Sequence, residues 1–253
     1  MVTNLATTAK PGDLQPRDIE LLEHVRRYRI TVPEALATLP GFRGLPLNAI
    51  TKVTSRLRER EYLSPYRLLD KRIYFMLGRN AARMYQLSPE RWCKALGMQA
   101  LANDYGTLFF CRLMGRTRER ITRDELQQSF PDFLEGEQRG IDSTRYYWDR
   151  QDTRKRLASI RVDFNTTISR IVSHCANDIA KRLRVPALRR LILNDQYLIS
   201  IVTLRPERKA QIQAELKNRR HPVKGLSQER WPVKFRVKVC PDLVPLLEGL
   251  SRA

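Results

Sequence analysis

The stretch Pro46–Glu61, PLNAITKVTSRLRERE, constrains the fold more than any other part of the chain. At about 100° per residue, Ile50, Val53 and Leu57 share one face of a helix, while Asn48, Thr51, Lys52, Ser55 and Glu59 point away from it, with Arg56 and Arg58 on the flanks. Such a helix must dock its apolar stripe on other elements. It then presents amide, hydroxyl and ammonium groups together, a set suited to base edges and phosphates in a DNA groove.

The flanking sequence supplies what the helix docks on. Gln15-Pro16-Arg17-Asp18 opens a helix over roughly 16–28, with proline near its start, an acid in its first turn, and Ile19, Leu22 and Val25 at helical spacing. Thr31 before Val32-Pro33-Glu34 reads as the cap of a short second helix that buries Ala35, Leu36 and Leu39. Pro40-Gly41 and Gly44 break the chain ahead of the third helix. After it, two short apolar runs around Leu69-Asp70-Lys71-Arg72 read as a hairpin with a charged tip. Three helices and a hairpin describe a winged helix-turn-helix over 16–77. In that arrangement the third helix enters the major groove, and Arg67, Lys71 and Arg72 reach phosphates or the neighbouring minor groove.

Charge supports a polyanionic partner. The chain carries a formal +20 with a pI near 10.4, and neutralising phosphates releases counterions and gives salt-sensitive affinity. The excess is not confined to the N-terminal motif. Residues 16–76 hold twelve Lys/Arg against seven Asp/Glu, and residues 150–220 hold seventeen against six. The C-terminal half is therefore also expected to touch nucleic acid.

Residues 1–15 read as a flexible N-terminus without the apolar middle of a signal peptide, and no run approaches the ~18 apolar residues of a spanning helix. The expectation is a cytoplasmic, nucleoid-associated protein with no membrane partner. Cys93, Cys111, Cys175 and Cys240 are scattered without CxxC spacing, so neither zinc knuckle nor disulfide framework is indicated, and each reads as a small buried hydrophobe.

Residues 78–140 read as a helical connector, interrupted at Ser88-Pro89 and resuming after Gly97. The helix over 98–114 is a candidate homodimer interface, and a short helix begins near Thr122. Gly136–Ile141 reads as loop. From 141 onward strands and helices alternate: Tyr146-Tyr147-Trp148 and Leu157–Phe164 as a hairpin, a helix over 166–184, a strand at Tyr197–Leu204, a helix from Pro206, a half-exposed strand at Val233–Val239 and a final helix from Pro241. The order β-β-α-β-α-β-α gives an α/β domain with a mixed sheet, and the whole chain is classed as α+β.

The segments LQPRDIELLEHVRRY, TRYYWDRQDTRKRLASIRVDF and YLISIVTLRPERKAQIQAEL resemble the replication-relaxation family of plasmid and mobile-element proteins, and the likeness covers most of the chain. The resemblance implies an N-terminal winged helix joined to a C-terminal domain similar to a degenerate restriction-endonuclease fold. It also implies a part in plasmid replication, mobilisation or element regulation. By position it carries over Asn48, Thr51, Lys52, Ser55 and Arg56 with Arg67, Lys71 and Arg72.

A metal-dependent nuclease needs two or more converging carboxylates, usually with a lysine. Asp163 ends a strand but also suits a helix cap. Glu215-Leu216-Lys217 spells ExK inside a helix, where alternate residues do not share a face. Pro131-Asp132 and Pro241-Asp242 spell the other half. A nickase or endonuclease using Asp163 with Glu215 or Asp242 is therefore the runner-up. No Gly-rich phosphate loop, HExxH or GxSxG is present. His24 and His174 lie within helices, His221 lies in a basic loop, and Tyr146 and Tyr147 read as packing residues. No catalytic residue, metal ligand or cofactor is assigned. The leading expectation is a sequence-specific binder of double-stranded DNA that acts by occupancy. A third reading is an adaptor that holds a replication, mobilisation or defence protein.

Overall fold

A computed structural model describes residues 14–115, 118–131, 145–150, 156–218 and 231–248. It is mixed, with a helical N-terminal part and a sheet in the C-terminal part, and contacts divide it into two compact units, Met1–Gly97 and Met98–Ala253.

The first unit begins with α1 (Pro16–Tyr28), α2 (Pro33–Leu36), a 3-10 turn at Pro40–Phe42 and α3 (Leu47–Glu59). It continues with β1 (Leu63–Leu69), β2 (Arg72–Leu77), α4 (Arg79–Met84) and α5 (Pro89–Trp92). Its core gathers Leu21, Leu22 and Val25 from α1, Ile50, Val53 and Leu57 from α3, and Phe75 and Leu77 from β2. Each such side chain contributes about 1.5–3 kcal/mol on burial, so the stripe read from sequence is what seats α3.

β1 and β2 pair antiparallel from Leu63↔Leu77 to Leu69↔Arg72, with an irregularity between Arg67 and Leu69. The turn is Asp70-Lys71, and Asp70 takes φ 46°, a left-handed value that aspartate tolerates. Thr31 departs from expectation. Val32, not Thr31, precedes α2, and the Thr31 backbone exchanges two hydrogen bonds with Phe75 (2.9 and 2.8 Å). The buried neighbours Ile30 and Val32 hold that segment extended, and the Thr31 hydroxyl lies 3.1 Å from His24 Nε2.

Gly78 ends β2 against the chain leaving α3. A Cβ there would sit 2.2 Å from the Glu61 carbonyl oxygen and 2.9 Å from the Leu63 nitrogen, both backbone atoms that cannot turn aside. Gly78→Ala is expected to destabilise the first unit by about 3 kcal/mol, read as a lowered urea midpoint by circular dichroism.

The second unit opens with α6 (Met98–Leu108), which runs into a π turn at Phe109–Leu113, followed by β3 (Arg118–Arg120) and α7 (Arg123–Ser129). Thr122 caps α7: its hydroxyl accepts from the Glu125 N–H (3.3 Å) and Glu125 accepts from the Thr122 N–H (2.9 Å). Next come β4 (Tyr146–Asp149), β5 (Arg156–Val162), α8 (Ile168–Arg182) and α9 (Pro186–Leu193). The unit finishes with β6 (Tyr197–Thr203), α10 (Pro206–Asn218), β7 (Lys234–Val239) and α11 (Leu243–Glu248).

These strands form one five-stranded sheet in the order β3-β4-β5-β6-β7. β3–β4 and β4–β5 are antiparallel, whereas β5–β6 and β6–β7, each joined through helices, are parallel. On one face, Leu157, Tyr197, Ile199 and Ile201 pack with Ile171 and Cys175 of α8 and Ile212 of α10. The other face meets α6, where Gly106 lies so close to β5 that an added Cβ would come within 2.8 Å of Val162.

Two expectations change here. Residues 78–97 group with the first unit, while 98–131 belong to the second instead of forming a separate connector. The helix at 98–114, read as a dimer interface, spends Leu101, Tyr105, Leu108 and Phe110 on the core of its own unit. Arg118–Arg120, inside the expected helical connector, is an edge strand added ahead of the expected order. Arg118 and Arg120 share the inner face of the sheet with Tyr147 and Asp149, and both are buried. Arg118 donates to the Phe110 carbonyl (3.0 Å) and lies over its ring, and Arg236 Nη1 sits 2.6 Å from Asp149 Oδ2. Burial draws the Arg118 pKa below its ordinary value. The Gly136–Ile141 loop, most of residues 1–15 and His221 lie outside the described residues.

Candidate nucleic-acid interface

α3 buries Ile50, Val53, Thr54 and Leu57 and turns Asn48, Thr51, Lys52, Arg58 and Glu59 to solvent, with Ser55 half-buried. Its polar side chains are not equally available. The Thr51 hydroxyl donates to the Leu47 carbonyl of its own helix (3.0 Å), which orients the hydroxyl and leaves the oxygen's remaining lone pairs open. Asn48, Lys52 and Arg58 are exposed.

Arg56 behaves differently from its neighbours. Its guanidinium donates to Asp18 Oδ1 at 2.5 Å, and Asp18, fully buried in α1, also accepts from the Gln15 N–H (3.0 Å). Expected among the DNA-contacting side chains, Arg56 instead ties α3 to α1. Its side chain is 33% exposed, so solvent screens part of the attraction. Arg56→Ala is nevertheless expected to cost about 2 kcal/mol, because it leaves a buried carboxylate without its cation. Chemical denaturation without DNA reads that cost, and an unchanged midpoint would contradict it.

The hairpin carries Arg67, Lys71 and Arg72. Arg67 and Lys71 are exposed at the tip, with Arg67 Nε donating to the Asp70 carbonyl (3.0 Å), and Arg72 is half-buried. Two apolar side chains escaped the sequence reading. Leu47 at the start of α3 is 56% exposed and Ile73 on β2 is 42% exposed. Periodicity could have flagged Leu47, which lies off the stripe formed by Ile50, Val53 and Leu57.

In the second unit, the runner-up's carboxylates are occupied. Asp163 follows β5 with its side chain wholly buried, and its two oxygens accept from the Thr203 hydroxyl (2.8 Å), the Asn165 N–H (2.9 Å) and both Nε and Nη2 of Arg208. A cation entering there would have to displace a guanidinium. Asp242 accepts from the Tyr105 hydroxyl, and Glu215 lies on α10. Asp132 lies outside the described residues, and among those described no cluster of three or more His, Cys, Asp and Glu could hold a metal.

Tyr146 and Tyr147 are buried on opposite faces of the sheet. Tyr146 accepts from Arg182 Nε (3.0 Å), and the Tyr147 hydroxyl lies 2.5 Å from the Ser200 hydroxyl. Burial pushes both phenol pKa values up, away from a nucleophilic phenolate. Cys111, Cys175 and Cys240 are buried, and burial pushes the Cys111 and Cys175 thiols up to about 12.

Two cavities open at the carboxyl ends of β5 and β6. One of about 710 Å³ is lined by Phe164, Leu204, Arg208 and Val244, with Arg205 and Glu248 at its edge. The other, about 210 Å³, is lined by Arg145, Arg161, Arg170 and His174, and Phe164 borders both. No helix among the described residues is long and apolar enough to cross a membrane. Comparison with protein-family models, curated proteins and solved structures gives no match to this chain.

Proposed function

We propose that the protein binds double-stranded DNA through its first unit, which we read as a winged helix-turn-helix with α3 in the major groove and the β1–β2 hairpin against the backbone. The observation that carries this reading is the division of α3 into two faces. Ile50, Val53 and Leu57 are spent on the core, so Asn48, Thr51 and Lys52 are left on an exposed hydrophilic face. Asparagine suits adenine N6/N7 and lysine suits guanine O6/N7, while Leu47 at the helix start suits a thymine methyl. Arg67 and Lys71 at the hairpin tip would neutralise phosphates. The reading fits the resemblance to replication-relaxation proteins, and with it a role by occupancy in plasmid or mobile-element replication, mobilisation or regulation, at the nucleoid.

The test is selection from a random duplex library with the full chain. An enriched motif is expected, and two half-sites about one helical turn apart would identify a symmetric dimer. Recovery of unenriched sequence, with binding lost as salt rises, would leave only non-specific phosphate affinity and defeat the reading.

A further inference from the structure

The cavity of about 210 Å³ beside β5 gathers several basic side chains. Arg145, Arg161 and Arg170 line it, with His174 and with Gln99 and Thr166 as neutral polar groups. The acid on its wall, Asp163, is already spent on Arg208, Thr203 and the Asn165 N–H. Arg161 Nη2 donates to Asp178, and its Nη1 lies 3.4 Å from His174 Nδ1. Arg170 has no carboxylate partner among the described residues. Among the described residues that line this space, three guanidiniums therefore meet one carboxylate, which is already engaged elsewhere.

Guanidinium groups offer planar, forked donors that match phosphate oxygens, and strongly hydrated ammonium groups are absent from this lining. The volume is below the roughly 300 Å³ at which pockets for drug-sized ligands begin, so it suits one phosphate with part of its sugar. The larger cavity adjoins it across Phe164, whose ring can serve as a stacking surface for the attached base.

We propose that this cavity binds a phosphoryl group of a nucleic-acid strand, which gives the second unit a strand-contact site separate from α3. The site explains a use for the cationic excess of residues 150–220 that the duplex reading of the first unit leaves unassigned. It does not depend on that reading.

His174 supplies a local reporter. Burial first, then the Arg161 and Arg170 charges, hold its pKa below the ordinary imidazole value, with Lys181 acting in the same direction and Asp178 opposing. A bound phosphate dianion favours the imidazolium and raises that pKa. The experiment titrates the full-length protein by histidine-selective NMR, the His174 signal being identified by its loss in His174→Gln. Inorganic phosphate, matched in ionic strength against chloride, is expected to move the His174 titration upward. Arg170→Glu, an exposed change that spares the core, is expected to weaken the response about tenfold or more. Short single strands with a 5′-phosphate or a 5′-hydroxyl then separate the sources. A response to the phosphorylated strand alone assigns the site to strand ends, and a response to both assigns it to backbone phosphodiesters. A His174 signal that phosphate and both strands leave unmoved, or a response undiminished in Arg170→Glu, would overturn the proposal. The duplex reading is tested by motif enrichment and this one by the His174 titration, so failure here leaves the duplex reading standing, and failure of that reading leaves this one.

Discussion

Asp163→Ala is expected to lower the stability of the second unit by about 3–5 kcal/mol, the cost of breaking a buried ion pair from one side. The carboxylate is fully buried and accepts from four donors, two of them on Arg208, itself only 16% exposed. Alanine removes every acceptor but leaves the guanidinium in place, still donating to the Thr166 carbonyl. The Thr203 hydroxyl is orphaned at the end of β6 as well. Asp163→Asn, which keeps one oxygen to accept from either the Asn165 N–H or the Thr203 hydroxyl and carries no buried charge of its own, is expected to lose less. Urea unfolding of the two variants measures the difference. The result bears on the nuclease alternative, because a lost nicking activity in Asp163→Ala would reflect unfolding before it reflected chemistry. If the alanine variant instead unfolded like the parent while losing a Mg²⁺-dependent cleavage, the carboxylate would be a metal ligand and the structural role argued for it would be wrong.

The second large effect is on DNA. Asn48→Ala combined with Lys52→Ala is expected to reduce affinity for a selected duplex by about 30-fold or more at fixed salt, since each base-edge contact is worth about 1–3 kcal/mol. Both side chains are exposed on α3, so stability should change by no more than about 0.5 kcal/mol. That separation between binding and stability is what Arg56→Ala cannot offer, because Arg56 holds Asp18. Lys71→Ala at the hairpin tip should weaken all duplexes alike and reduce the slope of log affinity against log salt by about one. Gel-shift titrations at several salt concentrations measure both effects. Undiminished binding by the Asn48/Lys52 double variant would remove α3 from the interface.

Much of the local architecture was legible before any coordinates. The apolar spacing of Ile50, Val53 and Leu57 gave α3 and its buried face, the helix expected near Thr122 starts there as α7, and the Asp70-Lys71 turn joined two strands where expected. Each signal depends on residues within a few positions of one another, where backbone periodicity and capping dictate geometry. The strand at Arg118–Arg120 gave no such local signal: it is three residues long, and it is pairing with β4 that turns Arg118 and Arg120 inward.

The linear order of residues therefore indicated most of the helices and strands, which side of α3 is apolar, and that the chain is strongly basic. It could not say which cation is free. Arg56 and Lys52 sit one turn apart with similar local surroundings, yet α1 brings Asp18 from 38 positions away to one of them and leaves the other in solvent. Likewise Arg208 reaches Asp163 across 45 positions, turning a candidate metal ligand into a buried ion pair. Side-chain availability is a property of long-range neighbours, because a charge removed from water must find its counter-charge wherever packing delivers one.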